Sequence, residues 1–187
     1  MRHFIVHMRR AGHVVTRPLN CGVRRSRDVP AMNTTIRLAD TGDHNAVVAL
    51  VLAFRDHSHQ RRLSDADVAS SVERLLVDPM TDFLLALSDR GAALGYVQLR
   101  YQYSLWVSGS VAQLEDLFVV SAFRRRGMGL QLLHAAVARA SERSARFLWL
   151  NTNERNLDAV RLYTRAGFSS ARERWQGGRQ LWLERAL

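Results

Sequence analysis

The apolar positions of this 187-residue chain change period several times, and each change marks an element. Apolar residues at 46, 47, 50, 51 and 54 recur at the spacing of one helix face. With Asp40 or Thr41 as cap, they predict a helix to about Arg55. Ser64 or Asp65 opens a second helix, which runs to about Val77 and stops before Pro79. A third helix is expected over 127–143 and a fourth over 157–166. The fourth has apolar residues at 159, 160, 162, 163 and 166, Asn156 where a cap belongs, and Gly167 where a left-handed residue closes a helix. Shorter apolar or alternating runs read as strands at 35–39, 83–87, 93–101, 112–120 and 146–150, with two more near 168–175 and 179–184. Turns at Asp89-Arg90-Gly91 and Gly177-Gly178 would close two hairpins. The expected fold is α/β (α+β), a mixed central sheet of six to seven strands flanked by about four helices.

Charge changes this picture at one place only. All 27 basic residues are Arg, against 17 acids, for a net charge of +10. A complete absence of Lys reads as a codon habit rather than a site requirement. Seven of the arginines lie in residues 1–31 with a single acid, Asp28, and that segment has no sustained period and carries Pro18 and Pro30. We read 1–31 as a basic extension with little fixed structure, or as sequence ahead of a translation start at Met32. Residues 32–187 then form one catalytic domain, in which 20 arginines face 16 acids. A mildly basic domain without a groove-reading motif does not point to nucleic acid. No apolar run approaches the roughly 20 residues of a membrane helix, and no secretory signal is evident. The single Cys21 cannot form an internal disulfide, and no Cys/His spacing suggests a metal, so a cytoplasmic setting is expected.

The candidate chemistry lies in two segments. Arg124-x-x-Gly127-x-Gly129 joins an apolar strand to a helix. The first turn of such a helix leaves backbone N–H groups unpaired at the positive end of its dipole, which suits a phosphate. Gly127 and Gly129 allow close backbone approach. The spacing is neither that of a P-loop nor that of the three-glycine dinucleotide turn. Downstream, Asn156-x-x-Ala159-x-x-Leu162-Tyr163 is followed by Gly167-Phe168. Together, in this order, the two segments resemble those of the GNAT N-acetyltransferase family, and with its flanking elements the resemblance covers roughly residues 35–185.

The resemblance implies acetyl-CoA as co-substrate, with no metal. It also implies transfer of the acetyl group to a primary amine of a small molecule (polyamine, amino-acid-like or other) by direct attack in a ternary complex. A protein lysine or N-terminus as acceptor, or a non-catalytic acetyl-CoA-binding regulator, are the alternatives, and a homodimer is compatible with either. By position in the family, Leu117, Phe118 and Val119 form a bulge in the fourth strand that holds the pantetheine arm and the acetyl carbonyl. Residues Arg124, Arg125, Arg126, Gly127, Met128, Gly129 and Leu130 would carry the pyrophosphate, and Asn156 would reach the cofactor arm. Tyr163 is the expected general acid for the leaving thiolate. Leu114-Glu115-Asp116-x-Phe118-Val119 resembles the same strand in the spermidine/spermine branch, which makes Glu115 the expected base. Neighbours in a strand alternate sides, so only one of Glu115 and Asp116 is expected to face a given cleft. Asp116, His57 and Trp106 are the expected acceptor-side residues, with His59, Tyr101, Tyr103 and Trp175 nearby in the same reading. The basic, His-rich stretch 55–62 counts against a plain polyamine.

Overall fold

A computed structural model describes residues 34–58 and 63–169. They form two units, the first ending at Asn151 and the second beginning at Thr152. The first unit holds β1 (Thr35–Leu38), α1 (His44–His57), α2 (Asp65–Leu76), β2 (Thr81–Leu87), β3 (Ala93–Ser104), β4 (Gly109–Val119), α3 (Met128–Glu142) and β5 (Leu148–Leu150). The second holds α4 (Leu157–Arg165).

The sheet runs in the order β1-β2-β3-β4-β5. The first four strands are antiparallel neighbours, and β5 is parallel to β4. This is the mixed sheet and four-helix set that the periodicity predicted. Five strands occur among the described residues. The expected sixth and seventh lie, beyond Ser169, outside those residues, as do 1–31, His59 and Trp175.

Local chemistry sets the ends of the elements. Asp40 caps a short 3-10 turn that leads into α1, and Asp43 returns the bond to the Asp40 N–H in a capping box. Ser64 and Asp67 form the equivalent box at the start of α2. Gly91 closes the β2–β3 hairpin at φ +77°, a region open to glycine at little cost.

Helices cover both faces of the sheet, and β2 shows the consequence. Its run Phe83-Leu-Leu-Ala86 is buried at every position rather than at alternate ones. On one face Val47 and Leu50 of α1, and Val68 and Val72 of α2, pack on Phe83, Leu85, Tyr96 and Phe118. The opposite face receives α3, which packs on β2, β3 and β4 and buries Leu132, Leu133, Ala136 and Ala140. Fully burying side chains of this size stabilises by about 1.5–3 kcal/mol each for the larger ones.

Candidate active site

In the pairing of β3 with β4, Gln98 lies opposite Asp116, while Leu99 lies opposite Leu114. Glu115 is therefore an extra residue, and the strand carries a β-bulge there. A regular strand would turn 114, 116 and 118 to one face. Here Asp116 and Phe118 share the face of Tyr96, beneath α1 and α2. Leu114 and Ala112 instead share the face of Leu99 and Tyr101, and the Tyr101 hydroxyl donates to Asp82, which also binds Arg139 of α3. Two expectations need correction. The bulge sits at Glu115 rather than over Leu117–Val119. Simple alternation also cannot assign Glu115 and Asp116 to opposite sides, because the pleat is interrupted between Leu114 and Asp116.

The bulge coincides with the end of a second ladder. β5 pairs with β4 over Ala112, Gln113 and Leu114, so among the described residues the β5-side edge of β4 is open from Glu115 onward. The Val120 N–H donates to the Leu94 carbonyl at 2.9 Å, which sets the phase of the antiparallel ladder. In that phase Phe118 exchanges backbone bonds with Tyr96, while the backbone groups of Leu117 and Val119 point to the open edge. The expected trio therefore divides: Leu117 and Val119 present main-chain groups, and Phe118 presents only its side chain, on the α1/α2 face. Gly95 lies opposite Val119, and a Cβ there would fall 2.6 Å from the Phe118 carbonyl oxygen. The close approach requires glycine.

Beyond β4 the chain turns into α3. Arg125 at φ +62° and Gly127 at φ +84° are left-handed, and Gly127 is the N-cap with no capping side chain. The N–H groups of Leu130 and Gln131 both reach the Gly127 carbonyl, at 3.0 and 3.1 Å. Of the expected phosphate donors, Leu130 is thus already engaged. Met128 and Gly129 carry first-turn N–H groups that have no carbonyl one turn back. The Met128 side chain is in the core, so only its backbone is available here.

Arg124 turns inward. Its Nε donates to the Val119 carbonyl at 2.8 Å, a terminal nitrogen lies 3.2 Å from His57 Nε2, and its guanidinium stacks 5.3 Å from the Phe118 ring. A guanidinium can only donate, so in this contact His57 Nε2 is the acceptor. This places His57, the last residue of α1, 6.2 Å from the Phe118 ring. Arg125 and Arg126 are exposed on the turn, and Arg126 covers Phe123 at 5.6 Å.

Two acids stand at this end of the sheet in different environments. Glu115 is exposed at the bulge. Asp116 is half-buried and accepts the hydroxyl of fully buried Tyr96 at 3.2 Å. Burial raises the Asp116 carboxyl above the usual carboxylate range and the Glu115 charge adds to this, while the Tyr96 bond pulls the other way. The Tyr96 phenol is in turn pushed well up, first by burial and then by Asp116. Tyr96 carries no motif and was not among the expected site residues; its place opposite Phe118 was the available signal.

Trp106 does not belong to this group. It sits half-exposed in the β3–β4 hairpin turn. At a rise of about 3.3 Å per residue, β4 carries the chain roughly 30 Å from there to the α3 turn. Exposed Tyr103 and Leu105 accompany it at that far end.

In the second unit, the Asn156 side chain accepts the Ala159 N–H at 3.2 Å and so caps α4. Gly167 at φ +86° closes the helix. The Phe168 N–H returns to the Tyr163 carbonyl at 3.0 Å and the Gly167 N–H to Thr164 at 3.1 Å, which is a Schellman motif. The Phe168 ring packs 5.9 Å from that of Tyr163, the apolar contact that accompanies such a motif. The motif spacing in the sequence thus corresponds to real caps at both ends of α4.

Among the described residues, no group of three or more His, Cys, Asp or Glu is placed to hold a metal, and no helix is long and apolar enough to cross a membrane.

A model of the acetyltransferase (GNAT) family matches residues 46–168. The uncharacterized N-acetyltransferase YhfO of Bacillus subtilis is 31% identical over 133 residues, 71% of this chain and 88% of that protein. An aminoalkylphosphonate N-acetyltransferase of Salmonella typhimurium is 29% identical over 154 residues, 82% of this chain and 96% of that protein. The crystal structure of a probable acetyltransferase superposes with a TM-score of 0.72 at 23% identity, over 81% of this chain and 99% of that one. The chain belongs to the GNAT family of N-acetyltransferases, enzymes that move an acetyl group from acetyl-CoA to an amine.

Proposed function

We propose that this enzyme acetylates the primary amine of a small molecule that also carries an anionic group, of the amino-acid or aminoalkylphosphonate kind. The observation that supports this is the charge arrangement around Phe118. Asp116 lies two residues away on the same strand face, next to Glu115, while Arg124 and His57 flank the Phe118 ring. Both Arg124 partners are neutral acceptors, a carbonyl and an imidazole, so among the described residues no carboxylate cancels its charge. Carboxylates for an ammonium and a cation for an acid group suit an acceptor bearing both. A polyamine, which the likeness of Leu114–Val119 to the diamine branch suggests, would meet Arg124 as a like charge. The relative that acts on aminoalkylphosphonates points the same way.

The residues fit acetyl-CoA. The uncapped N–H groups of Met128 and Gly129 and the dipole of the 15-residue α3 suit a pyrophosphate, and the Leu117 backbone and the Val119 N–H, whose carbonyl is held by Arg124, suit an extended amide-bearing arm. When bound, acetyl-CoA supplies the electrophilic carbonyl and the thiolate leaving group. The Glu115–Asp116 pair receives the ammonium and takes one proton from it, the role the resemblance gives to Glu115. Tyr163 gives a proton to the departing thiolate, and Asn156 both caps α4 and meets the cofactor arm; these two roles rest on the motif they share.

The test is thiol release from acetyl-CoA against aminoalkylphosphonates, amino acids, diamines and aminoglycosides. Turnover should be fastest with acceptors that carry both charges. Efficient turnover of diamines alone would sink the acceptor assignment.

A further inference from the structure

The Tyr96 hydroxyl has no packing reason to exist. Its ring is fully buried among Phe83 and Phe118, whose centroids lie 6.2 and 6.4 Å away. Phe would fill that space equally well. A buried hydroxyl is costly unless bonded, and this one reaches the Asp116 carboxylate. Asp116 in turn immediately precedes Leu117, the first residue whose backbone points to the open edge of β4. Resting on the acetyl-transfer reading above, we propose that Asp116, rather than Glu115, accepts the proton of the incoming amine, and that Tyr96 is the residue that positions its carboxylate.

In the step, a proton passes from the ammonium nitrogen to a carboxylate oxygen of Asp116, and the N–H bonding pair stays on nitrogen as the attacking lone pair. The two acids divide the work by environment. Glu115, exposed on the bulge, attracts the ammonium. Asp116 is drawn out of water, so its affinity for a proton is greater and nearer to what a general base needs at neutral pH. Among the described residues, the groups facing Asp116 are Tyr96 and neutral Gln98 from β3, and Glu115 beside it. His57 of α1 and Arg124 of the turn stand one position further along the same face, and α2 presents apolar Val68 and Val72 to that core. The bond from Tyr96 favours the charged carboxylate, and its loss therefore raises the proton affinity of Asp116.

The test is the pH dependence of kcat/KM for wild type, Tyr96→Phe, Asp116→Asn and Glu115→Gln. In Tyr96→Phe the acid limb should move to higher pH, and the alkaline plateau should fall several-fold because the carboxylate is no longer held in place. Asp116→Asn should lose about 100-fold or more in kcat, whereas Glu115→Gln should mainly raise KM for the amine. A superposable profile for Tyr96→Phe, or the reverse division between Asp116→Asn and Glu115→Gln, would overturn the assignment. A second measurement needs no turnover: NMR titration of carboxyl-labelled aspartate, with the Asp116 signal identified by its loss in Asp116→Asn. That signal should titrate above the exposed aspartates and move higher still in Tyr96→Phe; no movement overturns the positioning role. Failure of wild type on every amine, with the titration as expected, would count against the acetyl-transfer reading alone.

Discussion

The two ends of α3 are built on opposite plans. At its C-terminal end, buried Asp82 accepts Arg139 Nε at 2.7 Å, Arg143 at 3.1 Å and the Tyr101 hydroxyl at 3.0 Å. Arg143 also donates to the Pro79 carbonyl at 2.6 Å and lies 4.2 Å from the Tyr101 ring. At its N-terminal end there is no capping side chain, and two left-handed residues precede the first turn. Basic side chains near a helix C-terminus also complement its dipole, whereas the bare N-terminus leaves that dipole open to an anion. The lesson is that one helix can be held firmly at one end while its other end is left unsatisfied for a ligand.

Four experiments break or sharpen this contrast. The largest effect is expected at the anchored end. Asp82→Ala leaves two arginines without their carboxylate and should cost about 3 kcal/mol of stability, the low end for a buried pair because both arginines are partly exposed. Urea unfolding measures it, and acetyl-CoA affinity of the folded fraction should not change. If that affinity fell, the two ends would not be independent. Next, Tyr163→Phe tests whether chemistry can be separated from binding at α3. Turnover should fall about 100-fold with acetyl-CoA affinity kept, and an undiminished kcat would remove Tyr163 from the reaction. At the open end, Gly127→Ala introduces a Cβ at φ +84° where nothing crowds it, so only backbone strain opposes it. The left-handed penalty of about 1–2 kcal/mol should appear as roughly tenfold weaker acetyl-CoA binding by calorimetry, with α3 otherwise intact. The smallest effect belongs to Arg124→Gln, which loosens the turn from Val119 and His57. We expect about a threefold rise in KM for the amine, roughly 0.7 kcal/mol.

Much of this arrangement was legible in the sequence, and the reasons differ by region. The helices were readable because their signals are local: Ser64 with Asp67, Asn156, and Gly167 each act within one turn of themselves. The Gly127 turn was readable for the same reason. The bulge at Glu115 was not, because the register of β4 is set by β3, through Gln98 and Leu99, and no property of residues 109–119 alone announces it. Arg124 looked like one of three equivalent basic side chains on a turn. Only the folded positions of His57 and Phe118, far off in sequence or hidden in the strand, turn it inward. Trp106 was grouped with the acceptor side on residue type, and strand length removes it. The Tyr96–Asp116 pair, 20 positions apart, exists only once β3 and β4 have paired.

The bulge also sets position 115 apart from its neighbours on β4. A side-chain change there alters one carboxylate. Removing the residue altogether would restore an unbroken two-residue repeat along β4, with Leu114 and Asp116 as consecutive residues on opposite faces, each still opposite its own β3 partner. Asp116 and Phe118 would stay on the α1/α2 face and Leu114 on the α3 face, but the local bend and extra twist that the bulge gives β4 would be lost. Substitution and deletion at one codon would therefore be events of different kinds, the first a change of chemistry and the second a straightening of the strand.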